Sequence, residues 1–235
     1  MQISKRLEAV ASFVTEGNRV VDVGTDHGYI PIYLVEIGKT KDAIAMDINR
    51  GPLERAESNI KKSGLEDRIN TRLSDGLRML RKDEADTVVI AGMGGSLIIK
   101  ILSEGKEVLK SVKELVLSPQ SEISLVRKYL NEEEFSIIEE TMLKEDGKYY
   151  TVMKAVRGKM KQELLKENLV FFDYGEYLLR KADPILKEFL LKEENACRII
   201  EGELLKQDSE AARTRLTEIR QQLKSIMEAL KYYEM

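Results

Sequence analysis

Short apolar runs of strand length recur along the first two thirds of the chain and alternate with segments of helical character. Each run is rich in Val, Ile or Leu and is bounded by Gly, Asp, Asn or Pro. This alternation predicts a parallel sheet with helices on both faces. The predicted strands are 19–23, 43–47, 68–73, 87–91 and 114–118, and the predicted helices are 31–37, 52–63, 94–104 and 123–131.

Two longer strand-like runs, 135–143 and 149–156, follow the fifth strand. The segment between them contains Asp146-Gly147, a pair that favours the tight turn of a hairpin. Five strands joined by helices and followed by an antiparallel pair give seven strands, whereas a symmetric dinucleotide-binding sheet has six parallel ones. The pattern therefore predicts the α/β, Rossmann-like seven-stranded sheet of class I methyltransferases.

From Gly158 onward the strand signals end and the chain has helical character. Apolar positions then repeat at alternating steps of three and four residues, which is the heptad spacing of a coiled coil. The polar segment 207–209 separates two such stretches, with Asp208 or Ser209 as a helix N-cap. We predict a coiled-coil hairpin whose apolar seams close on each other or bind a partner. The seam positions are Leu186, Leu190, Glu193, Cys197, Ile200 and Leu204, then Ala212, Leu216, Ile219, Leu223, Ile226 and Leu230.

The composition excludes several classes of protein. The 235 residues are 43% hydrophobic and 34% charged and carry a net charge of −3, values typical of a globular domain. Since there is one cysteine, Cys197, and one histidine, His27, neither a disulfide framework nor a Cys/His zinc cluster is expected. We find no signal peptide and no membrane span, and expect a cytoplasmic protein without a metal.

Acidic residues end three successive predicted strands: Asp22, Asp47 and Asp75. The loop after the first strand has the spacing Gly24-x-x-x-Gly28 and a further carboxylate at Asp26, without a cationic residue. Carboxylates repel a pyrophosphate but suit a cofactor with sulfonium and ammonium groups. Asp47 could then accept hydrogen bonds from ribose hydroxyls, and Asp75 from an adenine amino group. Each Asp alone could instead cap a helix or form a turn.

Glycine also follows the fourth predicted strand, in Ala91-Gly92-Met93-Gly94-Gly95, and Ser118-Pro119-Gln120 ends the fifth. These loops would border the slot for a transferred methyl group, although the glycines fit a tight strand-to-helix turn equally well. Adenine methyltransferases that act on the exocyclic amino group usually carry Asp/Asn-Pro-Pro-Tyr/Phe after strand four. That motif is absent from this chain.

Four motifs together resemble the bacterial TrmK family. They are 4–11 (SKRLEAVA), 22–31 (DVGTDHGYIP), 91–95 (AGMGG) and 118–120 (SPQ). The resemblance implies an S-adenosyl-L-methionine-dependent enzyme that methylates N1 of adenine 22 in tRNA. It implies that residues 1–157 form the catalytic, cofactor-binding domain and that residues 158–235 form a helical domain that contacts tRNA. By that likeness the cofactor is held by Asp22, Gly24, Asp47, Asp75, Gly76 and Met93, to which we add Gly28, Ile48 and Gly92.

Adenine N1 has a free lone pair, so catalysis is expected to consist mainly of in-line positioning and exclusion of water. Positive charge spreads into the exocyclic amino group as N1 is methylated, and an acceptor there would stabilise the transition state. Asp26 is our first choice for it, and the Gln120 side-chain oxygen and the carbonyls of 92–94 are alternatives. His27 is either a general base or a support for the loop, and Tyr29 either stacks on an extruded base or only packs.

Positive charge is concentrated in residues 50–82, which hold nine Lys or Arg against five acids. This stretch, joined by Lys5 and Arg6, could bind tRNA phosphates, although an ordinary solvated helix face gives the same pattern. Two other functions remain open: a small-molecule methyltransferase and a non-catalytic coiled-coil interaction module. A monomer or weak oligomer is expected. The residues predicted to contact the tRNA are Lys5, Arg6, Tyr29, Gly94, Ser118 and Pro119.

Overall fold

The computed structural model describes residues 2–158 and 169–234. The chain forms two compact units, Met1–Met160 and Lys161–Met235. The predicted start of the helical domain lies partly in 159–168, outside the described residues. The first unit contains a seven-stranded sheet with the order β3-β2-β1-β4-β5-β7-β6. Its strands are β1 (Val20–Val23), β2 (Ala43–Asp47), β3 (Ile69–Leu73), β4 (Thr87–Ala91), β5 (Glu114–Ser118), β6 (Phe135–Glu145) and β7 (Lys148–Arg157).

The strand order confirms the predicted Rossmann-like methyltransferase fold. β1 pairs in parallel with β2 on one side and with β4 on the other, and β7 is inserted antiparallel between β5 and β6. Strand order reverses between β1 and β4, since the chain first builds outward to β3 and then returns. Ligands of open α/β sheets bind at the carboxyl ends of the strands at such a point. The loops after β1 and β4 are therefore the expected location of the site.

The hairpin of β6 and β7 is longer than the sequence predicted. Its turn contains only Asp146 and Gly147, whose φ angles are +50° and +75°. Two consecutive residues at positive φ match a tight two-residue turn, whose twist suits the right-handed twist of the paired strands. The predicted five-residue connection therefore shortens to two, and each strand gains residues.

Helices cover both faces of the sheet: α1 (Lys5–Phe13), α2 (Tyr29–Glu36), α3 (Arg50–Lys62), α4 (Gly95–Glu104), α5 (Lys106–Leu109) and α6 (Ile123–Glu132). Strand residues alternate between two cores. Val21 and Val23 of β1 join a cluster that includes side chains of α4 and α6, whereas Val20 joins a cluster with side chains of α1, α2 and α3. The short helices α1 and α5 were not predicted. The Ser4 hydroxyl caps α1 by accepting the Leu7 N–H at 3.3 Å.

The second unit is helical: α7 (Val170–Tyr174), α8 (Glu176–Arg180), α9 (Pro184–Leu204), α10 (Glu210–Leu230) and a short 3-10 turn (Lys231–Tyr233). Of the two predicted N-caps, Asp208 and Ser209, the structure has Ser209 at the start of α10. Its hydroxyl accepts the Ala212 N–H at 3.2 Å. The helices α9 and α10 pack on each other. Ile200 departs from the predicted seam, since it is 38% exposed. The buried predicted seam residues are Leu186, Leu190, Cys197, Ala212, Ile219, Leu223 and Ile226.

Among the described residues, no helix combines the length and apolar character that a membrane-spanning segment needs. Within that same part of the chain, no group of three or more His, Cys, Asp or Glu side chains is arranged to hold a metal ion.

Candidate active site

A cavity of about 440 Å³ opens at the carboxyl end of β1, next to the end of β4. Five of the predicted site residues line it: Arg6, Asp22, Gly24, Asp26 and Tyr29. The sequence reasoning missed the remaining wall residues, which are Gln2, Ile3, Ser4, Leu7, Ile30 and Ala91. Ser4 and Leu7 lie within the N-terminal motif, but the pattern gave no sign that this segment folds back onto the sheet.

Asp22 is the penultimate residue of β1 and is 5% exposed. Burial raises the pKa of its carboxyl to about 6, the nearby Thr25 hydroxyl partly offsets that increase, and the Asp47 charge adds to it. An ionised carboxylate in such a place lacks the hydration that it would have in water. A cationic group bound in the cavity would supply the missing stabilisation.

Two glycines shape the loop after β1. Gly24 has φ +77°, and a Cβ built on it would lie 1.9 Å from Cε of Met93. Met93 follows β4, so this contact packs the loops after β1 and β4 together. Gly28 has φ +69° and caps α2, where a Cβ would lie 3.3 Å from Cβ of Ala56 in α3. The absence of a side chain at Gly28 therefore allows α2 and α3 to approach each other.

Asp26, His27 and Tyr29 form a connected group at the mouth of the cavity. The Asp26 side chain is 66% exposed, and its Oδ1 lies 3.1 Å from Nη2 of Arg55 and 3.4 Å from Nε2 of His27. The His27 ring stacks on the Tyr29 ring with centroids 5.2 Å apart and an interplanar angle of 8°. His27 has φ +62°, and its carbonyl accepts a hydrogen bond from Asn59. The imidazole is thus placed to hold the Tyr29 ring.

The remaining acids follow the neighbouring strands. Asp47 Oδ1 accepts the Asn49 N–H at 2.7 Å, and Ile48 is 58% exposed beside it. The Asp47 carbonyl accepts the Ser74 N–H at 2.8 Å, which joins the ends of β2 and β3. Asp75 is half-buried, and its Oδ2 lies 2.9 Å from Nη1 of Arg78. The acids Asp22, Asp47 and Asp75 therefore lie at or just beyond the carboxyl ends of three adjacent strands, and of these three only Asp22 lines the cavity.

Gly76 packs against α4, and hydrogen bonds fix the loop after β4. A Cβ on Gly76, at φ +58°, would lie 3.1 Å from Cγ1 of Ile101. Gly92 donates its N–H to the Ser118 carbonyl at 3.1 Å, and Gln120 donates its own to the Met93 carbonyl at 2.9 Å. These bonds join the loops after β4 and β5.

The same pair of loops contains further predicted residues. The Ser118 hydroxyl is buried and has no hydrogen-bond partner in the part of the chain that the structure describes, Pro119 is buried, and Gln120 is exposed. A Cβ on Gly94 would lie 3.1 Å from the Ser121 hydroxyl. We call these residues at the ends of β4 and β5 (Gly94, Ser118, Pro119 and Gln120) the rim.

Comparison with known proteins identifies the family. A methyltransferase-domain family model matches residues 3–153. A tRNA (adenine(22)-N(1))-methyltransferase of Bacillus subtilis is 42% identical over 158 residues, an alignment that spans 67% of this chain and 66% of that protein. The crystal structure of Bacillus subtilis TrmK matches with a TM-score of 0.88 and 32% identity, covering 97% of this chain and 99% of the other. The chain belongs to the TrmK family of tRNA (adenine(22)-N(1))-methyltransferases.

A further TrmK-like structure comes from Streptococcus pneumoniae, a candidate tRNA adenine-22 methyltransferase in complex with S-adenosyl-L-methionine. It has a TM-score of 0.85 and 34% identity and covers 97% of this chain and 100% of that chain. The donor set of the present TrmK-family chain fits that cofactor. A buried carboxylate, Asp22, suits a cationic group, and Asp47 and Asp75 provide acceptors on the two adjoining strands.

The basic stretch 50–82 is only partly available for RNA in this TrmK-family chain. Four of its cations make internal contacts: Arg55 with Asp26, Arg68 with two backbone carbonyls, Arg72 with Glu84, and Arg78 with Asp75 and Glu104. The other five are exposed: Arg50, Lys61, Lys62, Arg81 and Lys82. The count of charges along the sequence therefore overstated the basic surface.

Proposed function

We propose that this protein transfers the methyl group of S-adenosyl-L-methionine to N1 of adenine 22 in tRNA. Membership of the TrmK family supports the substrate. The observation in this chain that carries the proposal is Asp22, a buried carboxylate with a raised pKa in the wall of a cavity. Such a group favours a cationic ligand, and the cofactor has a sulfonium and an ammonium group.

The residues at the strand ends would hold the cofactor along the sheet edge. Asp22 and the Gly24 loop are proposed to bind its amino-acid portion, Asp47 its ribose hydroxyls, and Asp75 its adenine amino group. Ile48, exposed beside Asp47, offers an apolar surface for the adenine ring. Met93 packs on Gly24 and would fix the spacing between the cofactor loop and the rim. The bound cofactor supplies an electrophilic methyl group.

The protein's contribution to the reaction would be mainly geometric, because adenine N1 is already nucleophilic. The base must first leave the folded tRNA, and Tyr29, stacked on His27 at the cavity mouth, offers an aromatic ring for it. This arrangement favours His27 as a support over a general base. The rim residues Gly94, Ser118 and Pro119 would border the base on its other side.

Asp26 is proposed to accept a hydrogen bond from the adenine amino group as positive charge develops there, with Gln120 as the alternative. Its carboxylate already lies beside Arg55 and His27, which would hold it in place. We expect Asp26→Ala to lower the turnover number about 100-fold and cofactor affinity less than about threefold, by analogy with the loss of one charge-stabilising group. Methyl-transfer kinetics and calorimetry measure the two effects. Equal losses in turnover and affinity would contradict this role, and Asp42→Ala, at an exposed site, is the control.

Lys5 and the five exposed cations of the stretch 50–82 are proposed to contact tRNA phosphates. Binding through phosphates predicts that tRNA affinity falls steeply as salt rises. The helical unit is proposed to add a further tRNA contact. Because the proposed substrate is a soluble RNA, we propose a cytoplasmic location. A monomer or weak oligomer remains the expected state.

One experiment tests the activity. The protein is incubated with S-adenosyl-L-methionine and unmodified tRNA, and nucleosides are analysed by mass spectrometry. We expect 1-methyladenosine from wild-type tRNA and none from tRNA in which guanine replaces adenine 22. Methylation of a metabolite extract but not of tRNA would favour a small-molecule methyltransferase. Failure to bind the cofactor would favour a non-catalytic module.

A further inference from the structure

Gln120 presents a side-chain amide where the rim meets the cavity. Its backbone N–H donates to the Met93 carbonyl at 2.9 Å, which fixes the position of the residue after β5. Its side-chain Nε2 lies 3.8 Å from the position that a Cβ on Gly92 would occupy. Gly92 directly follows Ala91, which lines the cavity. The amide is therefore beside the cavity wall, next to the loop after β4.

The surroundings of this amide leave it accessible to a flat ligand. Gln120 is exposed, and Gly92 has no side chain to cover the amide. Gly92 has φ +87°, a conformation that glycine adopts without strain, and its N–H donates to the Ser118 carbonyl at 3.1 Å. Both loops are thus held in place before a ligand binds, which reduces the entropy that binding would cost.

Methylation at N1 restricts how an adenine can be held. The methyl group arrives at the N1 lone pair, so no donor of the protein can occupy that lone pair. The opposite edge of the base offers the N6 amino group as a donor and N7 as an acceptor, and a glutamine amide matches this pair with Oε1 and Nε2. Guanine presents acceptors at both positions, which one acceptor and one donor cannot satisfy together.

We propose that Gln120 binds N6 and N7 of the target adenine and so selects adenine over guanine. This assignment rests on the proposed function, since it assumes an adenine of tRNA as substrate. The amino group has two hydrogens. Gln120 would accept the one on the N7 side, and the one on the N1 side is left for Asp26. Gln120 is then a specificity-determining residue that leaves N1 free to react.

Methyl-transfer kinetics with two tRNAs test this assignment. One tRNA has adenosine at position 22, and the other has 7-deazaadenosine, in which C–H replaces N7 while N1 and N6 remain. We expect the wild-type kcat/KM to be about 10-fold lower on the 7-deaza tRNA. Gln120→Ala should lower kcat/KM on the adenosine tRNA about 10- to 100-fold, as for loss of a bidentate base contact. Its values on the two tRNAs should then differ less than about twofold.

Gln120→Glu reverses the chemistry at one position only. Its carboxylate keeps an acceptor for N6 but repels the N7 lone pair, so this variant should prefer the 7-deaza tRNA. A preference for the adenosine tRNA, as in the wild type, would contradict the contact with N7. Asn70→Ala is the matched control, because it removes an exposed amide from β3 at the far edge of the sheet and should keep the wild-type preference.

Three results would overturn the assignment while the proposed function stands. The first is an equal 7-deaza penalty in wild type and Gln120→Ala, which would mean that another group binds N7. The second is wild-type activity of Gln120→Ala on the adenosine tRNA. The third is a loss of cofactor affinity in Gln120→Ala of more than about twofold by calorimetry, which would mean that Gln120 supports the cavity wall. If the wild-type protein methylates neither tRNA, the proposed function fails and this assignment fails with it.

Discussion

Replacing the buried carboxylate of Asp22 should make the ligand-free protein more stable while weakening cofactor binding. The folded-state pKa is raised from 3.8 to about 6, so the folded protein binds this proton more tightly than the unfolded chain does. The contribution of Asp22 to the free energy of unfolding therefore decreases as pH rises through the window from 3.8 to about 6. Above that window, the ionised form costs about 3 kcal/mol relative to an unperturbed Asp.

Asp22→Asn removes this cost, because an amide does not ionise. We expect the free energy of unfolding to increase by about 3 kcal/mol at pH ~7.5 and by roughly half as much at pH ~5, from the two pKa values. Urea unfolding without cofactor at both pH values measures the change. Calorimetry should show weaker binding of S-adenosyl-L-methionine, and wild-type affinity should itself fall as pH decreases below about 6, because protonation neutralises the site.

Asp86 provides a matched control of opposite sign. Its carboxylate is also largely buried, but Arg19 and Lys113 hold its pKa well below the ordinary range. Asp86 therefore contributes stability that is present above the unfolded pKa and lost as pH falls through the lower folded value. Asp86→Asn should lower the free energy of unfolding at both pH values. The reasoning fails if Asp22→Asn is destabilising near pH ~7.5, if its gain does not depend on pH, or if cofactor affinity is unchanged.

Two further substitutions test the cost of a positive φ angle, one in each of the two units. Gly24→Ala should destabilise the protein by about 1–2 kcal/mol through its positive φ, and it should weaken cofactor binding because the added methyl displaces the end of the Met93 side chain. Gly17→Ala, at φ +83° with no described heavy atom within 4 Å of the added Cβ, should cost a similar amount in the same urea assay and leave cofactor binding unchanged, and equal cofactor binding by the two variants would refute the role of Met93. Ala182→Gly should raise the free energy of unfolding of the helical unit by about 1 kcal/mol, because Ala182 has φ +49°. Ala196→Gly, at an exposed position within α9, should lower the free energy of unfolding by about 1 kcal/mol. If thermal unfolding shows that both Ala→Gly variants stabilise or both destabilise the protein, the positive φ of Ala182 is not the cause.

Much of the fold could be predicted from the sequence because its signals are local. The strands of the sheet are runs of Val, Ile and Leu, and their ends shifted by only one or two residues in the structure. Strand order could not be read in the same way, since β4 returns beside β1 through contacts between distant parts of the chain. The helix α1 was missed for a related reason. It is stabilised by the Ser4 cap and by packing of residues such as Val10 on the sheet, rather than by a strong periodic pattern of its own.

The residues of the candidate site also fall into those that local sequence reveals and those that only the fold reveals. Asp22, Asp47 and Asp75 could be found because each follows a strand, and parallel strands place their carboxyl ends at one edge. Charge counting failed in the stretch 50–82, because a count does not show which cations are already paired, as Arg55 is with Asp26. Arg6 is the sharper case, since its neighbours are Gly92 and Tyr150, far away in the chain. Sequence identifies its charge, but only the fold shows that its Nη1 is buried without a hydrogen-bond partner among the described residues, in a side chain that lines the cavity.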